Sequence, residues 1–113
     1  MHPGELELQT PDTAMLQKTQ QQLEKDLGIA GFAFREPGYP DLPAMVTEIQ
    51  AFLEKQQTGN AAALMRIINR VDLSESQYRK VKSMPGDWLE NLAKAIVLRV
   101  FQKVLIRKNF GGG

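Results

Sequence analysis

Hydrophobic residues follow a helical period most clearly in the last third of the chain, residues 87–108. Two adjacent apolar rows run through this stretch at helical spacing: Trp88, Leu92, Ile96, Val100, Val104 and Leu89, Ala93, Val97, Phe101, Leu105. A basic row beside them consists of Arg99, Lys103 and Arg107. Leu98 and Ile106 fall outside both apolar rows, so more than half of the helix circumference is apolar. The pattern predicts either the central helix of a bundle or a helix shared with a second copy.

Capping residues and breaks in the apolar pattern predict four shorter helices before this one. They are expected at about 11–27, 42–56, 61–71 and 74–84. Gly28 is placed to stop the first, a capping box of Ser74 and Gln77 opens the fourth, and Pro85 ends it. Asp87 is the expected N-cap of the long fifth helix.

The apolar rows of the shorter helices differ in width. The second helix has a one-sided stripe of Met45, Val46, Ile49, Phe52 and Leu53, and the third is expected to bury Leu64, Ile67, Ile68 and Val71. The first helix has a thin row, consisting of Leu16, Leu23 and Leu27. We therefore expect the first helix to lie on the outside of an all-α bundle of about five helices.

The longest interruption of the helical pattern is residues 28–41, GIAGFAFREPGYPD. Its glycines and prolines exclude a continuous helix, whereas its apolar side chains are too many for a simple linker. Those apolar residues are Ile29, Phe32, Phe34 and Tyr39. The segment is expected to pack as an aromatic lid over the core, with a functional loop and a short strand over 31–34 as open alternatives.

Length and composition indicate one soluble domain. The chain of 113 residues is 42% hydrophobic and 24% charged, which is ordinary for a globular protein and enough for a single core. We expect one domain over 1–113, with 1–10 and 109–113 flexible. The absence of cysteine excludes disulfides and thiolate chemistry and fits the cytoplasm. No secretory signal is recognisable at the N-terminus, and Lys94, Arg99 and Lys103 interrupt the apolar segment, so no membrane insertion is expected.

Charge is divided unevenly along the chain. Residues 1–60 hold four basic and nine acidic side chains, a net charge of −5, while residues 61–113 hold ten basic and four acidic, a net charge of +6. Such a division fits an acidic partner, or two halves that complement each other within or between copies. The row of Arg99, Lys103 and Arg107 allows an anion or membrane-surface contact, or a simple match to the negative end of the helix dipole.

Catalytic chemistry is not indicated. The only histidine, His2, lies at the N-terminus, away from the predicted folded part. Paired carboxylates such as Glu24 with Asp26 lie in segments that are expected to be exposed. Phosphate-binding, dinucleotide-binding and metal-binding motifs are absent from the sequence. The sequence therefore predicts no enzyme, no cofactor, no metal and no small-molecule substrate.

Residues 62–84 resemble a helix-turn-helix, which is the basis for a nucleic-acid hypothesis. Candidate base-reading and phosphate-binding residues in this segment are Arg66, Arg70, Ser76, Gln77, Arg79, Lys80 and Lys82. Against this hypothesis, the turn has no glycine, and Asp72 and Glu75 place negative charge where phosphates would lie. Glu75 and Arg79 also have the spacing of an ion pair within one helix.

The C-terminal half of the chain resembles that of small bacterial proteins of unknown function. The resemblance rests on the segment RVDLSE and on LAKAIVLRVFQKVLIRKNF, which contains an RxxQKxxxR pattern. It covers roughly the last 45 residues and implies a helical protein of the bacterial cytosol, with no activity to transfer. The N-terminal half does not share it.

These observations favour a non-catalytic protein-interaction or assembly module. Surplus apolar surface on the fifth helix predicts self-association through Val97, Leu98, Phe101, Leu105 and Ile106. The alternative is a small nucleic-acid-binding protein that uses the helix-turn-helix-like segment 62–84.

Overall fold

Five helices make up the described part of the chain, as the sequence predicts. The computed structural model describes residues 13–28, 31–35, 41–59 and 61–110. Within them lie α1 (Thr13–Leu27), α2 (Leu42–Gly59), α3 (Ala61–Val71), α4 (Glu75–Ser83) and α5 (Trp88–Phe110). The all-α class and the long C-terminal helix are thus confirmed. Of the segments expected to be flexible, 1–10 and 111–113 lie outside the described residues, and 109–110 complete the last turn of α5.

Helix α5 is the element around which the others pack, because each of the four preceding helices contacts it. Both of its predicted apolar rows are buried over most of their length. Its buried hydrophobic side chains are Leu89, Leu92, Ala93, Ile96, Val97, Val100, Phe101 and Val104. The central position predicted from its apolar circumference is therefore the one observed.

The helix boundaries follow from capping side chains. The Asp41 carboxylate accepts a hydrogen bond from the backbone N–H of Ala44 (2.9 Å) and so caps α2. Ser74 and Gln77 form the predicted capping box at the start of α4. The Asp87 carboxylate accepts from the N–H of Leu89 (3.0 Å) at the start of α5, also as predicted.

The buried row of α1 differs from the one expected. It consists of Met15, Thr19, Leu23 and Leu27, whereas Leu16 is only partly buried. Met15 packs with Phe101 and Val104 in a small apolar cluster beside the main core. Thr19 is fully buried because its hydroxyl is satisfied within the helix, donating to the carbonyl of Met15 at 2.8 Å. Helix α1 is therefore anchored more firmly than its thin leucine row suggests.

Residues 31–35 form an aromatic cover over the core, as predicted. The Phe32 ring is 4.8 Å from that of Phe34 and 5.1 Å from that of Phe52, both in edge-to-face geometry. The segment is extended but not part of a sheet: the N–H of Phe34 donates to Glu24 of α1 at 3.0 Å, and that of Arg35 donates to Glu48 of α2 at 2.8 Å. It therefore ties α1 to α2. Residues 29–30 and 36–40 of the predicted loop, including Tyr39, lie outside the described residues.

Helix α1 ends at Leu27, directly before Gly28 as predicted, and Gly31 supplies the left-handed residue of the turn that follows, with a φ of +93°. Its N–H donates to the carbonyl of Gly28 (2.9 Å), and the N–H of Phe32 donates to the carbonyl of Leu27 (3.3 Å). This is the paired hydrogen bonding of a Schellman motif. The motif turns the chain so that Phe32 enters the core next to the end of α1.

Because the Thr19 hydroxyl is bonded only to its own helix, Thr19→Val should leave stability unchanged or raise it by up to about 1 kcal/mol. Valine keeps the shape of the side chain, and the Met15 carbonyl keeps its helical partner. Thr19→Ser is the matched control, since it keeps the hydroxyl and loses a buried methyl, and should cost about 1 kcal/mol. Urea unfolding of the three proteins measures both effects. A loss of stability in Thr19→Val larger than in Thr19→Ser would contradict this account.

Candidate interaction surfaces

The three side chains of the basic row of α5 each contact a residue of α1, of the end of α3 or of the turn that follows α3. Arg99 lies 3.8 Å from the carboxylate of Asp72, and Arg107 donates to the side-chain oxygen of Gln22 at 2.9 Å. Lys103 has the tightest contact, because its Nζ donates to the backbone carbonyl of Val71 at 2.7 Å. The row therefore joins α5 to the C-terminal end of α3 and to α1.

Lys103 lies in a half-enclosed site with Asp26. Their side chains are only 19% and 15% exposed, and Lys103 Nζ lies 3.9 Å from Asp26 Oδ2. The other carboxylate oxygen, Oδ1, accepts a hydrogen bond from Gln22 Nε2 at 2.8 Å. This arrangement gives the partly buried carboxylate of α1 a cation from α5 and brings three helices together at one ammonium group.

The turn between α3 and α4 explains why Lys103 reaches Val71. Asp72 has a φ of +65°, and its N–H donates to the carbonyl of Asn69 while that of Leu73 donates to Ile68. This Schellman motif is formed without glycine, since aspartate tolerates the left-handed region better than most residues. Its two hydrogen bonds leave the Val71 carbonyl free to accept from Lys103.

The five residues predicted for self-association do not share one surface. Val97 and Phe101 are each only 2% exposed and belong to the interior of the bundle. Leu98 and Ile106 are 39% and 52% exposed, and Leu105 is half-buried. Helical geometry places these last three on one outer face together with the half-buried Gln102. We call Leu98, Gln102, Leu105 and Ile106 the α5 strip.

The residues predicted for nucleic-acid binding lie mostly on the surface. Six of them are exposed, namely Arg66, Arg70, Ser76, Arg79, Lys80 and Lys82, and Gln77 is half-buried. Two are engaged locally: Gln77 in the capping box, and Arg79 with Glu75 at 2.8 Å. Among the described residues, no ion pair or hydrogen bond engages the side chains of Arg66, Arg70 and Lys80.

A cluster that the sequence did not single out lies beside these basic residues. The Tyr78 hydroxyl donates to the sulfur of Met65 at 3.7 Å, and the Tyr78 and Trp88 rings meet edge to face at 6.1 Å. Met65 remains 44% exposed, while Tyr78 and Trp88 are half-buried. We call Met65, Tyr78 and Trp88 the Met–aromatic patch. In the sequence, the one feature that points to this patch is that Met65 falls outside the apolar row of α3. That feature does not identify a partner.

Neither protein-family models, nor curated proteins, nor solved structures match this chain. The resemblance of the C-terminal half to small bacterial proteins therefore stays a prediction. None of the helices in the described part of the chain has the length and hydropathy of a membrane span. Within the same part, no group of three or more His, Asp or Glu side chains could hold a metal ion.

Lys103→Met should destabilise the fold by about 1–3 kcal/mol, because the Val71 carbonyl loses its donor and the partly buried Asp26 carboxylate loses its nearby cation. Lys94→Met is the matched control on the same helix. Lys94 pairs only with Glu90, one turn away on the surface, so its loss should cost no more than about 0.5 kcal/mol. Chemical unfolding gives both values. Equal effects of the two substitutions would contradict the role assigned to Lys103.

Proposed function

We propose that this chain is a non-catalytic protein-interaction and assembly module that self-associates through the α5 strip. The observation that carries the proposal is the exposure of Leu98 and Ile106 on the helix whose other apolar side chains are largely buried. They are two of the four large hydrophobic side chains that the described residues leave exposed. A second copy would remove both from water, and exposed apolar patches mark protein–protein interaction sites among others.

The spacing of the strip suits an antiparallel pair of α5 helices. Leu98 lies one turn before Gln102 and Ile106 lies one turn after it. A two-fold axis beside Gln102 would therefore place Leu98 of one copy against Ile106 of the other, twice. Antiparallel helix dipoles add a small favourable term, whereas a parallel pair would align them unfavourably.

The association should be weak. A stable interface typically buries about 800 Å² on each partner, and a strip of four side chains is smaller than that. Val97 and Phe101 cannot add to it, because both are already buried inside the monomer. We therefore expect a dissociation constant in the high micromolar range, so that assembly depends on local concentration or on a further partner.

The non-catalytic part of the proposal is supported by how the carboxylates are used. Asp26 faces Lys103, Asp72 faces Arg99, and the other two ion-paired acids, Glu75 and Glu90, pair within their own helices. General acid–base catalysis needs carboxyl groups that face a substrate rather than a structural cation. His2 lies outside the described residues.

Nucleic-acid binding is the second candidate function. It is favoured by one observation: Arg66, Arg70 and Lys80 lie on the surface of the helix-turn-helix-like segment without an acidic partner among the described residues. Such side chains are available for phosphate contacts, which are sequence-independent and sensitive to salt. The base-reading role proposed for Gln77 has less support, because its side-chain oxygen accepts from the N–H of Ser74.

Leu98→Glu alone and Ile106→Lys alone should each weaken self-association at least about tenfold, since each buries an unpaired charge against an apolar side chain. The double variant Leu98→Glu with Ile106→Lys should recover much of the lost affinity between copies. In an antiparallel pair, the new glutamate of each copy would meet the new lysine of the other. The two positions are about 12 Å apart within one chain, too far to pair there. Sedimentation equilibrium from about 1 µM to about 1 mM gives the constants.

Met65→Glu is the matched control, because Met65 is exposed to a similar extent on a different helix. It should leave the association constant unchanged. If the wild-type chain is monomeric at the highest concentration, the proposal is wrong. If the double variant associates no more tightly than the single variants, the antiparallel arrangement is wrong.

If the chain binds nucleic acid, its affinity for labelled single- and double-stranded DNA and RNA should fall steeply between about 50 and about 200 mM salt. Arg70→Glu with Lys82→Glu should then abolish binding. Lys18→Glu with Lys25→Glu is the matched control, because both lysines are exposed on α1 and the charge change is the same. Fluorescence anisotropy measures all three proteins. Absence of wild-type binding at the lower salt, or equal binding by both double variants, would eliminate this candidate.

A further inference from the structure

The Met–aromatic patch has the composition of a protein interface rather than of an ordinary surface. Tyrosine, tryptophan, methionine and arginine are the residues enriched in the centres of such interfaces. Tyr78 contacts both Met65 and Trp88, and Arg66 follows Met65 in α3 and is exposed. Met84, 42% exposed, caps the C-terminal end of α4, the helix that carries Tyr78. The four interface-enriched types thus occur on α3, on α4, in the turn that follows α4 and at the first residue of α5.

The centre of the patch is held in place before any partner arrives. Tyr78 is held by three neighbours: the sulfur of Met65 at 3.7 Å, the ring of Trp88 at 6.1 Å, and the ammonium of Lys82 at 5.4 Å from the ring centroid. A fixed aromatic side chain loses little conformational entropy on binding. The exposed Met65 beside it is flexible and polarizable, and it can adapt to the shape of a bound apolar group.

Two basic side chains lie next to the patch: Lys82, whose Nζ is 5.4 Å from the centroid of the Tyr78 ring, and Arg66, which follows Met65 in α3. Arg66, Arg70, Lys80 and Lys82 are exposed on α3 and α4. Of the acidic residues on this part of the chain, Asp72 and Glu75 pair with Arg99 and Arg79, and Asp87, directly before Trp88, accepts hydrogen bonds from the N–H of Leu89 and from Gln50. An apolar centre with a basic rim is complementary to a segment that carries apolar side chains among carboxylates.

We propose that the Met–aromatic patch binds an acidic amphipathic segment of a partner protein. Its apolar side chains would cover Met65 and Tyr78, and its carboxylates would face Arg66 and Lys82. A nucleic acid is a poorer match, because phosphates gain nothing from the exposed sulfur side chains of Met65 and Met84. This site is separate from the α5 strip, so the inference goes beyond the self-association proposed above.

The test uses the full chain and an unbiased probe, a phage-displayed library of short random peptides. Trp88 is the only tryptophan, so its emission reports directly on the patch without a label. The selected peptides should be rich in acidic and apolar residues and should change the Trp88 emission. Met65→Glu and Lys82→Glu should each weaken their binding at least about tenfold. Both side chains are exposed, and circular dichroism confirms that the variants fold.

Leu98→Glu separates this inference from the proposed function, because it should leave peptide affinity unchanged while weakening self-association. Four results would overturn the inference. The first is a library that yields no binder, or only neutral or basic peptides. The second is equal peptide binding by Met65→Glu and wild type. The third is that single-stranded DNA binds more tightly than any selected peptide, as measured by the change in Trp88 emission. The fourth is that Met65→Glu loses self-association, which would mean that the patch binds a second copy of the chain.

Discussion

The structure depends on covering α5, a helix that is apolar around more than half of its circumference. A helix of this kind is unfavourable in water, and a single neighbouring helix cannot bury it. Helices α1 to α4 pack around α5, and each contributes apolar side chains from one of its faces to the core. The positions of the other helices follow from the complete burial of three α5 side chains: Leu92, Ile96 and Val100.

The polar side of α5 is used by the fold as well. Lys103 and Arg99 secure the turn after α3, where Asp72 adopts a left-handed conformation and the Val71 carbonyl needs a donor. Among the described residues, the contact between Lys103 and Asp26 is the one ion pair that joins the acidic half of the chain to the basic half, and the other three ion pairs lie within residues 61–113. Three exposed basic side chains without an acidic partner among the described residues, Arg66, Arg70 and Lys80, lie on α3 and α4, the helices that carry Met65 and Tyr78.

Local signals made the helices and several of their ends predictable from the sequence. The Ser74–Gln77 box and Asp87 act within a few residues, and the stripe of α2 needs only helical geometry. What failed depends on tertiary packing. The buried row of α1 includes Met15 and Thr19 in addition to the predicted Leu23 and Leu27, whereas Leu16 is only partly buried; Thr19 can be buried because its own helix satisfies the hydroxyl. On α5, the helical rows already separate Val97 and Phe101 from Leu98 and Ile106. The self-association hypothesis nevertheless grouped the four residues, because which face of α5 is covered depends on where the other helices lie.

The central claim is that α5 is buried by its own chain and offers only its outer strip to a second copy. Amide hydrogen exchange at low and high protein concentration tests this most directly. The account predicts that residues 89–101 exchange slowest at both concentrations, with concentration-dependent slowing limited to the strip around 98–106. If the slow exchange of the whole helix disappeared on dilution, α5 would depend on a second copy for its burial, and the account would be wrong.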